Sequence, residues 1–307
     1  LALTPNASLD DVLRPLSGVW VNDRHHFALG ERISIRGVGY RSNFGVRGIQ
    51  VLYDGIPLTL PDGQAFLDVV DPAVVRRVEL IRSPASVFWG NGSGGVLFLS
   101  SRPDPSTPTV RARVQGGRYG KWQGLLESTG TVGKWTLHGY TSGNRQEGYR
   151  DHSQGYRLRA GVNAERSFAE TTLRFTAAGD VQDTENPSSL TLEQFREDPT
   201  QARPAFVDVN AGKQSEQGQF GVFVKHNLGK ATISGSGYYL YRSLDNPLSF
   251  GYISYDRNSG GGRFSLQRSE GRLQGGIGID AGIQYDDRIE YSPPEGNDGN
   301  PGDSVTL

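Results

Sequence analysis

Beyond residue 108, apolar and polar positions alternate with a period of two over long runs. In Gln219–His226, Phe220, Val222 and Val224 alternate with Gln219, Gly221 and Lys225. In Lys230–Arg242, Ala231, Ile233, Gly235, Gly237, Tyr239 and Tyr241 share one face. In Arg272–Tyr285, Leu273, Gly275, Ile277, Ile279, Ala281, Ile283 and Tyr285 oppose Arg272, Gln274, Asp280 and Gln284. Such alternation predicts strands with one apolar and one polar face. The same pattern predicts strands at Thr109–Gly116, Lys121–Gly130, Lys134–Asn144, Gln154–Arg166, Thr171–Val181 and Asn258–Gln267, about nine in all.

The connections between these strands alternate in length. Gly130–Gly133, Ser167–Glu170, Asn227–Gly229 and Ser269–Gly271 read as tight turns, whereas Gly143–Ser153, Gln182–Ser215, Ser243–Arg257 and everything after Asp286 read as longer loops. On the long-loop side only Gly117–Gly120 is short. Long loops at one end and short turns at the other predict an antiparallel, up-and-down membrane β-barrel. Soluble sandwiches also alternate, but their strands average about 5–6 residues, while a tilted bilayer crossing needs about 9–11. Tyr119, Trp122, Trp135, Tyr156 and Tyr241 near strand ends suit interfacial girdles.

The first hundred residues lack this regularity. Ser8-Leu9-Asp10-Asp11-Val12-Leu13 predicts a capped short helix. Short β-rich runs follow at Arg32–Arg36, Gln50–Tyr53, Val74–Ile81 and Val96–Leu99, separated by turns such as Asp54-Gly55 and Asp62-Gly63. The stretch Arg102-Pro103-Asp104-Pro105-Ser106-Thr107-Pro108-Thr109 reads as an extended connector, because proline disrupts both helix interiors and central strands. The expected organisation is an α+β domain over residues 1–103 and barrel wall over residues 104–307. Nine strands would close at a radius of about 9 Å, too narrow for a folded domain, whereas about 22 give about 21 Å. The chain is therefore expected to be an N-terminal piece of a larger barrel.

Composition narrows the chemistry. The 307 residues include 42 glycines, no cysteine and no methionine, with a formal net charge of −1. No thiolate nucleophile, disulfide or thiolate metal site is available, and near-zero charge gives no electrostatic basis for binding nucleic acid. The missing methionine at position 1 leads us to expect a processed or cut chain. Leu1-Ala2-Leu3-Thr4-Pro5-Asn6 has no export-signal pattern. His25-His26 have no third ligand at fixed spacing, and His152 follows Asp151 in a loop, so no metal site is expected. Gly90–Gly95 has no lysine where a phosphate loop needs one, and Asn91 breaks a nucleophile elbow at Ser93. No nucleophile–base–acid set assembles, so no catalytic residue and no enzyme is expected.

Several strings of the first domain occur in a recognisable order. These are Ile35-Arg36-Gly37, Val51-Leu52-Tyr53-Asp54-Gly55-Ile56-Pro57-Leu58, Val78-Glu79-Leu80-Ile81-Arg82-Ser83-Pro84-Ala85-Ser86, and Trp89-Gly90-Asn91-Gly92-Ser93-Gly94-Gly95-Val96. Together they resemble the plug domain of TonB-dependent outer-membrane receptors over residues 8–103, and the strands beyond Pro108 resemble the start of that family's 22-stranded barrel. Ser83 stands where the family usually has glycine, and Phe98-Leu99-Ser100-Ser101 replaces a more polar string. Asn186-Pro187-Ser188-Ser189-Leu190-Thr191 resembles the ferric-citrate branch.

The resemblance implies an outer-membrane transporter for a ferric siderophore or ferric-citrate-like chelate, driven by the TonB–ExbB–ExbD complex and bounded by outer-membrane lipid. It implies no cofactor; iron enters only as part of the transported chelate. The alternatives are the same architecture importing cobalamin or glycans, and a passive porin-like or adhesive barrel, which would not carry a folded lumenal domain. Arg36, Glu79 and Arg82 are expected as ion pairs between plug and barrel. Solute contacts are expected from Tyr40, Arg41, Asn43 and Phe44, from Gln64, and from the loop residues Arg145, Tyr149 and Arg150.

Overall fold

The computed structural model describes residues 8–22, 28–42, 44–82, 89–102, 108–271, 273–294 and 300–305. The expectations placed on His25-His26, Asn43, Ser83-Pro84-Ala85-Ser86 and the connector from Pro103 to Thr107 lie outside the described residues.

The first domain opens with α1 (Leu9–Leu13), held by a capping box in which Ser8 Oγ accepts from the Asp11 amide and the Asp11 carboxylate accepts from the Ser8 amide. Strands β1 (Val19–Asn22) and β2 (Arg32–Ile35) pair antiparallel. A second pair joins β3 (Val46–Arg47) to β6 (Gln64–Ala65). The remaining strands are β4 (Gln50–Tyr53), β5 (Ile56–Pro57), β7 (Arg77–Ile81) and β8 (Val96–Ser100), forming one sheet ordered β5-β4-β8-β7 with β4 and β8 parallel. Asp54 and Gly55 both have positive φ (50° and 93°), which makes the β4–β5 connection a two-residue hairpin turn. Val51, Tyr53, Leu97 and Leu99 bury one face of this sheet with Leu13, Ile33, Ile35 and Ile49. The run predicted at Val74–Ile81 becomes a strand only from Arg77, because Val74 closes a turn ahead of it, its amide donating to the Asp71 carbonyl at 3.2 Å.

The wall is an antiparallel meander of ten strands in chain order. Its members are β9 (Thr109–Gly116), β10 (Trp122–Val132), β11 (Trp135–Gln146), β12 (Gly155–Phe168), β13 (Thr171–Glu185), β14 (Gly212–Leu228), β15 (Ala231–Leu248), β16 (Gly251–Glu270), β17 (Leu273–Tyr291) and β18 (Ser304–Val305). The sheet is open, with β9 and β18 at its edges. The loop at 186–211 carries α2 (Leu192–Glu197) and α3 (Pro204–Val207).

The long loop expected at Ser243–Arg257 is instead a hairpin, with Leu248 paired to Gly251 across a two-residue turn. Asp245-Asn246-Pro247 reads as a turn signal, yet Pro247 fits the strand for a geometric reason. Leu248 and Gly251 are the hydrogen-bonded pair that closes the turn, so Pro247 opposite Tyr252 points its nitrogen away from β16. On that side pairing with β14 ends at Asp245, so the absent N–H removes no ladder bond.

Burial along the wall is the reverse of that in a soluble sheet. Buried positions are polar: Gln123, Glu127, His138, Arg159, Asn163, Asp180, Gln217 and Arg242 all point inward. Exposed positions are apolar, including Leu126, Val162, Phe220, Val224, Phe264 and Ile277. A polar interior and an apolar outer band describe a wall that faces lipid outside and the plug inside. Among the described residues, no helix is long and apolar enough to cross a membrane.

Placing a cation on the outer face near mid-strand is therefore expected to destabilise the wall. Phe220→Arg should cost about 2–4 kcal/mol in denaturant unfolding from lipid vesicles, with Phe220→Leu close to neutral. Equal stability of the two variants would show that Phe220 does not face lipid.

Candidate functional site

The strand register sets inward side chains side by side. Ser142 pairs with Arg159, Arg159 with Asp180, Asp180 with Gln217, Gln217 with Arg242, Arg242 with Arg257 and Arg257 with Asp286. This row of lumenal groups crosses seven adjacent strands, β11 to β17. Along it runs the plug segment from Asp62 to Asp71.

Three aspartates fasten that segment. Asp62 Oδ1 accepts from the Gln64 amide at 2.9 Å, fixing its own turn, while Oδ2 lies 3.3 Å from Arg257. Asp71 Oδ1 accepts from the Ala73 amide at 2.9 Å, and Oδ2 accepts from the Ser142 hydroxyl. Each thus shapes its local turn with one oxygen and reaches the wall with the other. Asp68 is the centre, with Arg242 at 2.8 Å, Lys213 at 3.2 Å and Arg157 at 3.3 Å from its carboxylate. Arg159 Nε donates to the Asp68 carbonyl at 2.7 Å, and the Arg242 guanidinium lies 4.1 Å over the Phe66 ring. Burial works against the charge of Asp68. Lys213, Arg242 and Arg157 outweigh it and hold the carboxyl well below the usual carboxylate range.

Other ties support this one. Glu127 of the wall receives Arg76 at 2.5 Å from the plug, together with Arg111 at 2.6 Å and His138 at 3.1 Å. Asp54 accepts from the Ser101 amide and hydroxyl at 2.9 and 2.6 Å and from Asn163 of the wall at 3.3 Å. The Tyr53 and Tyr140 hydroxyls meet at 2.8 Å, and Arg102 lies 3.0 Å from Glu165.

The expected plug–barrel pairs are not among these contacts. Arg36, Glu79 and Arg82 are exposed and touch none of the ten wall strands by hydrogen bond or ion pair among the described residues. Glu79 instead pairs along its own strand with Arg77 at 2.7 Å, and Arg82 donates to the Ser17 carbonyl at 3.1 Å. Residues at i and i+2 share one face of a strand, so the nearest partner of Glu79 is local.

The expected solute contacts divide in two. Tyr40, Arg41 and Phe44 are exposed, and Tyr40 packs on Trp20 with ring centroids 5.4 Å apart. Their turn leads into β3, whose partner β6 stands just before Phe66 and the lumenal row. Gln64, by contrast, is buried, and its amide donates to the Phe44 carbonyl at 2.9 Å, bracing that turn. Arg150 is also committed: it donates to the Pro187, Ser188 and Gln201 carbonyls, tying loop 147–154 to loop 186–211. Arg145 donates to Gln154 Oε1 at 3.5 Å, and Tyr149 meets Tyr119 edge-on at 5.4 Å. His152 likewise serves the loops, its Nε2 lying 2.8 Å from the Ala211 carbonyl. Among the described residues no group of three or more acidic or histidine side chains is placed to hold a metal ion.

Asp68, Arg157, Arg159, Lys213 and Arg242 were not singled out from the sequence. The available signal was charge on the polar face of alternating strands: Arg157 and Arg159 flank Leu158, and Lys213 and Arg242 fall on inward positions. Paired with Asp62, Asp68 and Asp71 at short spacing in the plug, it pointed to a complementary contact.

Comparison with known proteins places this architecture. Residues 1–96 match the family described as TonB-dependent Receptor Plug Domain. The hemin receptor of Yersinia enterocolitica is 33% identical over 91 residues, which are 29% of this chain and 12% of that protein. The unliganded ferric citrate transporter FecA superposes with a TM-score of 0.76 at 17% identity, over 96% of this chain and 47% of that one. The ferric yersiniabactin uptake receptor FyuA of Yersinia pestis gives 0.71 at 14% identity, over 94% and 48%. The chain thus spans about half the length of these solved structures, and the likeness to them concerns the fold.

Asp68→Asn leaves Lys213 and Arg242 without their carboxylate, while Arg157 keeps Asp180 at 3.5 Å, and is expected to lower plug stability by about 3 kcal/mol, read as earlier loss of exchange protection in β4 and β8. The carboxyl is depressed in the folded state, so its contribution is complete above the unfolded value of about 3.9 and is lost as pH falls below it. Plug protection factors should accordingly hold from about pH 7 to about pH 5 and fall only below about pH 4; a drop near pH 6 would assign the anchoring to another group. Arg150→Ala should free loop 186–211, read as faster tryptic cleavage after Arg196 than in the parent.

Proposed function

Since the chain belongs to the outer-membrane TonB-dependent receptors, we propose that it captures an iron chelate above a plug held shut by its wall. Release inward would follow when the TonB–ExbB–ExbD complex does work on the plug. This family consists of receptors and transporters rather than enzymes, so the chemistry is binding and translocation.

One observation carries the reading. The plug segment 62–71 is locked to the lumen by buried ion pairs, while Tyr40, Arg41 and Phe44 beside it stay exposed. Arg41 makes no ion pair among the described residues, which leaves its guanidinium for charge-assisted hydrogen bonds to an anionic chelate. Tyr40, Trp20 and Phe44 add an aromatic surface suited to the organic part. The matched relatives and neighbours include a hemin receptor, a ferric citrate transporter and a ferric yersiniabactin receptor; iron in an organic complex is common to all three. The need for external work also fits the anchoring. Separating one partner from a buried ion network costs about 3–5 kcal/mol, and the segment is held at Asp62, Asp68 and Asp71 together.

The test is titration of the full-length receptor with hemin, ferric citrate and a panel of ferric siderophores, followed by tryptophan emission. At least one should quench saturably, and Tyr40→Ala with Arg41→Ala should weaken it about ten- to hundredfold. No quenching by any member of the panel would sink the iron reading.

A further inference from the structure

Toward the short turns, below the anchored segment, plug and wall do not close on each other. A cavity of about 540 Å³ separates them, within the range of small-molecule sites. On the plug side it is lined by Leu52, Pro57, Phe98 and Trp89, the two aromatic rings meeting edge-on at 5.1 Å. This is the face of the β4–β8 sheet opposite the plug core, where Trp89 and Phe98 are only partly buried and the Arg263 guanidinium of the wall lies 3.8 Å over the Trp89 ring.

The wall side carries charge that the protein does not fully neutralise. Asp280 is paired with Arg263, and Glu165 with Arg102 at 3.0 Å. Arg174 has no carboxylate partner among the described residues. It donates to the Asp54 carbonyl at 3.2 Å, lies 4.1 Å over the Phe223 ring, and its Nε is buried without a hydrogen-bond partner. Lys225 lines the same cavity and makes no ion pair among the described residues. Gly55, at φ 93°, makes the arrangement possible, because a Cβ there would stand 2.8 Å from Arg174 and 2.9 Å from Phe223.

Two cations without carboxylate partners, one with an orphaned donor, face an aromatic apolar surface across a space of ligand size. We propose that this cavity is a second binding station for an aromatic organic anion, the ring-bearing acidic arm of the imported chelate. Arg174 and Lys225 take its negative oxygens, and its ring packs on Phe98 beside Trp89 and Phe223, which carry Arg263 and Arg174 on their faces. The inference deepens the import reading and rests on it for the natural occupant.

Of the four tryptophans in these 307 residues, Trp89 lies in this cavity whereas Trp20 packs on Tyr40. The full-length receptor carrying 5-fluorotryptophan, with resonances assigned by Trp→Phe variants, is titrated with 2,3-dihydroxybenzoate and followed by ¹⁹F NMR. The Trp89 resonance should shift saturably, and Arg174→Gln with Lys225→Gln should weaken that response about tenfold or more. Lys225→Gln alone, at an exposed and unpaired position, should weaken it in part while leaving the unliganded spectrum unchanged. A Trp89 resonance that does not move, or moves equally in the variants, overturns the proposal. The probe is the metal-free ring, so that failure leaves the import reading to stand or fall on the chelate titration.

Discussion

A carboxylate buried among cations cannot stand alone, and neither can the cations. Asp68 comes from the plug, and Arg157, Lys213 and Arg242 come from three different wall strands. Remove the plug and Lys213 and Arg242 lose their carboxylate, leaving Asp180 as the wall's own acid beside Arg157 and Arg159. Remove the wall and an aspartate that needs several donors has none. The charge balance therefore couples two bodies that also share apolar contacts at Leu240, Leu125 and Tyr140, and it fixes the height at which segment 62–71 sits along the strands.

The coupling is possible because the wall is inverted. A sheet that turns its apolar face to lipid must turn polar residues inward, and a lumen of arginines, glutamines and aspartates needs a polar filling. The plug answers with an apolar core of its own and a polar rim. Its turns are built so that the aspartates shaping them have a second oxygen to offer. Asp62 and Asp71 show the economy of that arrangement, since one side chain holds both the local bend and the contact with the wall.

Committed and uncommitted cations mark the division of labour. Arg150, Arg159 and Arg242 are occupied by carbonyls, carboxylates or an aromatic ring, and Gln64 braces a backbone turn. Arg41 stands exposed among aromatic side chains above the anchored segment, and Arg174 and Lys225 stand below it. The iron-import reading concerns the upper group and the second station the lower one, with the locked segment between them.

The sequence alone determined the architecture. Period-two alternation, connection lengths and the ordered plug strings were sufficient, because they are local patterns whose physics acts within a strand or a turn. They also placed the Asp54-Gly55 hairpin and the Ser8 cap. Where a local signal competed with a neighbour, it misled: Pro247 reads as a turn, and only the early departure of β14 explains why it lies in a strand. The polar contacts could not be read at all. Gln64 and Arg150 looked available because their partners lie 20 and 37 to 51 residues away, and Glu79, expected at the wall, finds Arg77 on its own strand. Asp68 meets Lys213 across 145 positions. Pairing at that distance depends on strand register and on how deep the plug sits, which only the folded chain decides.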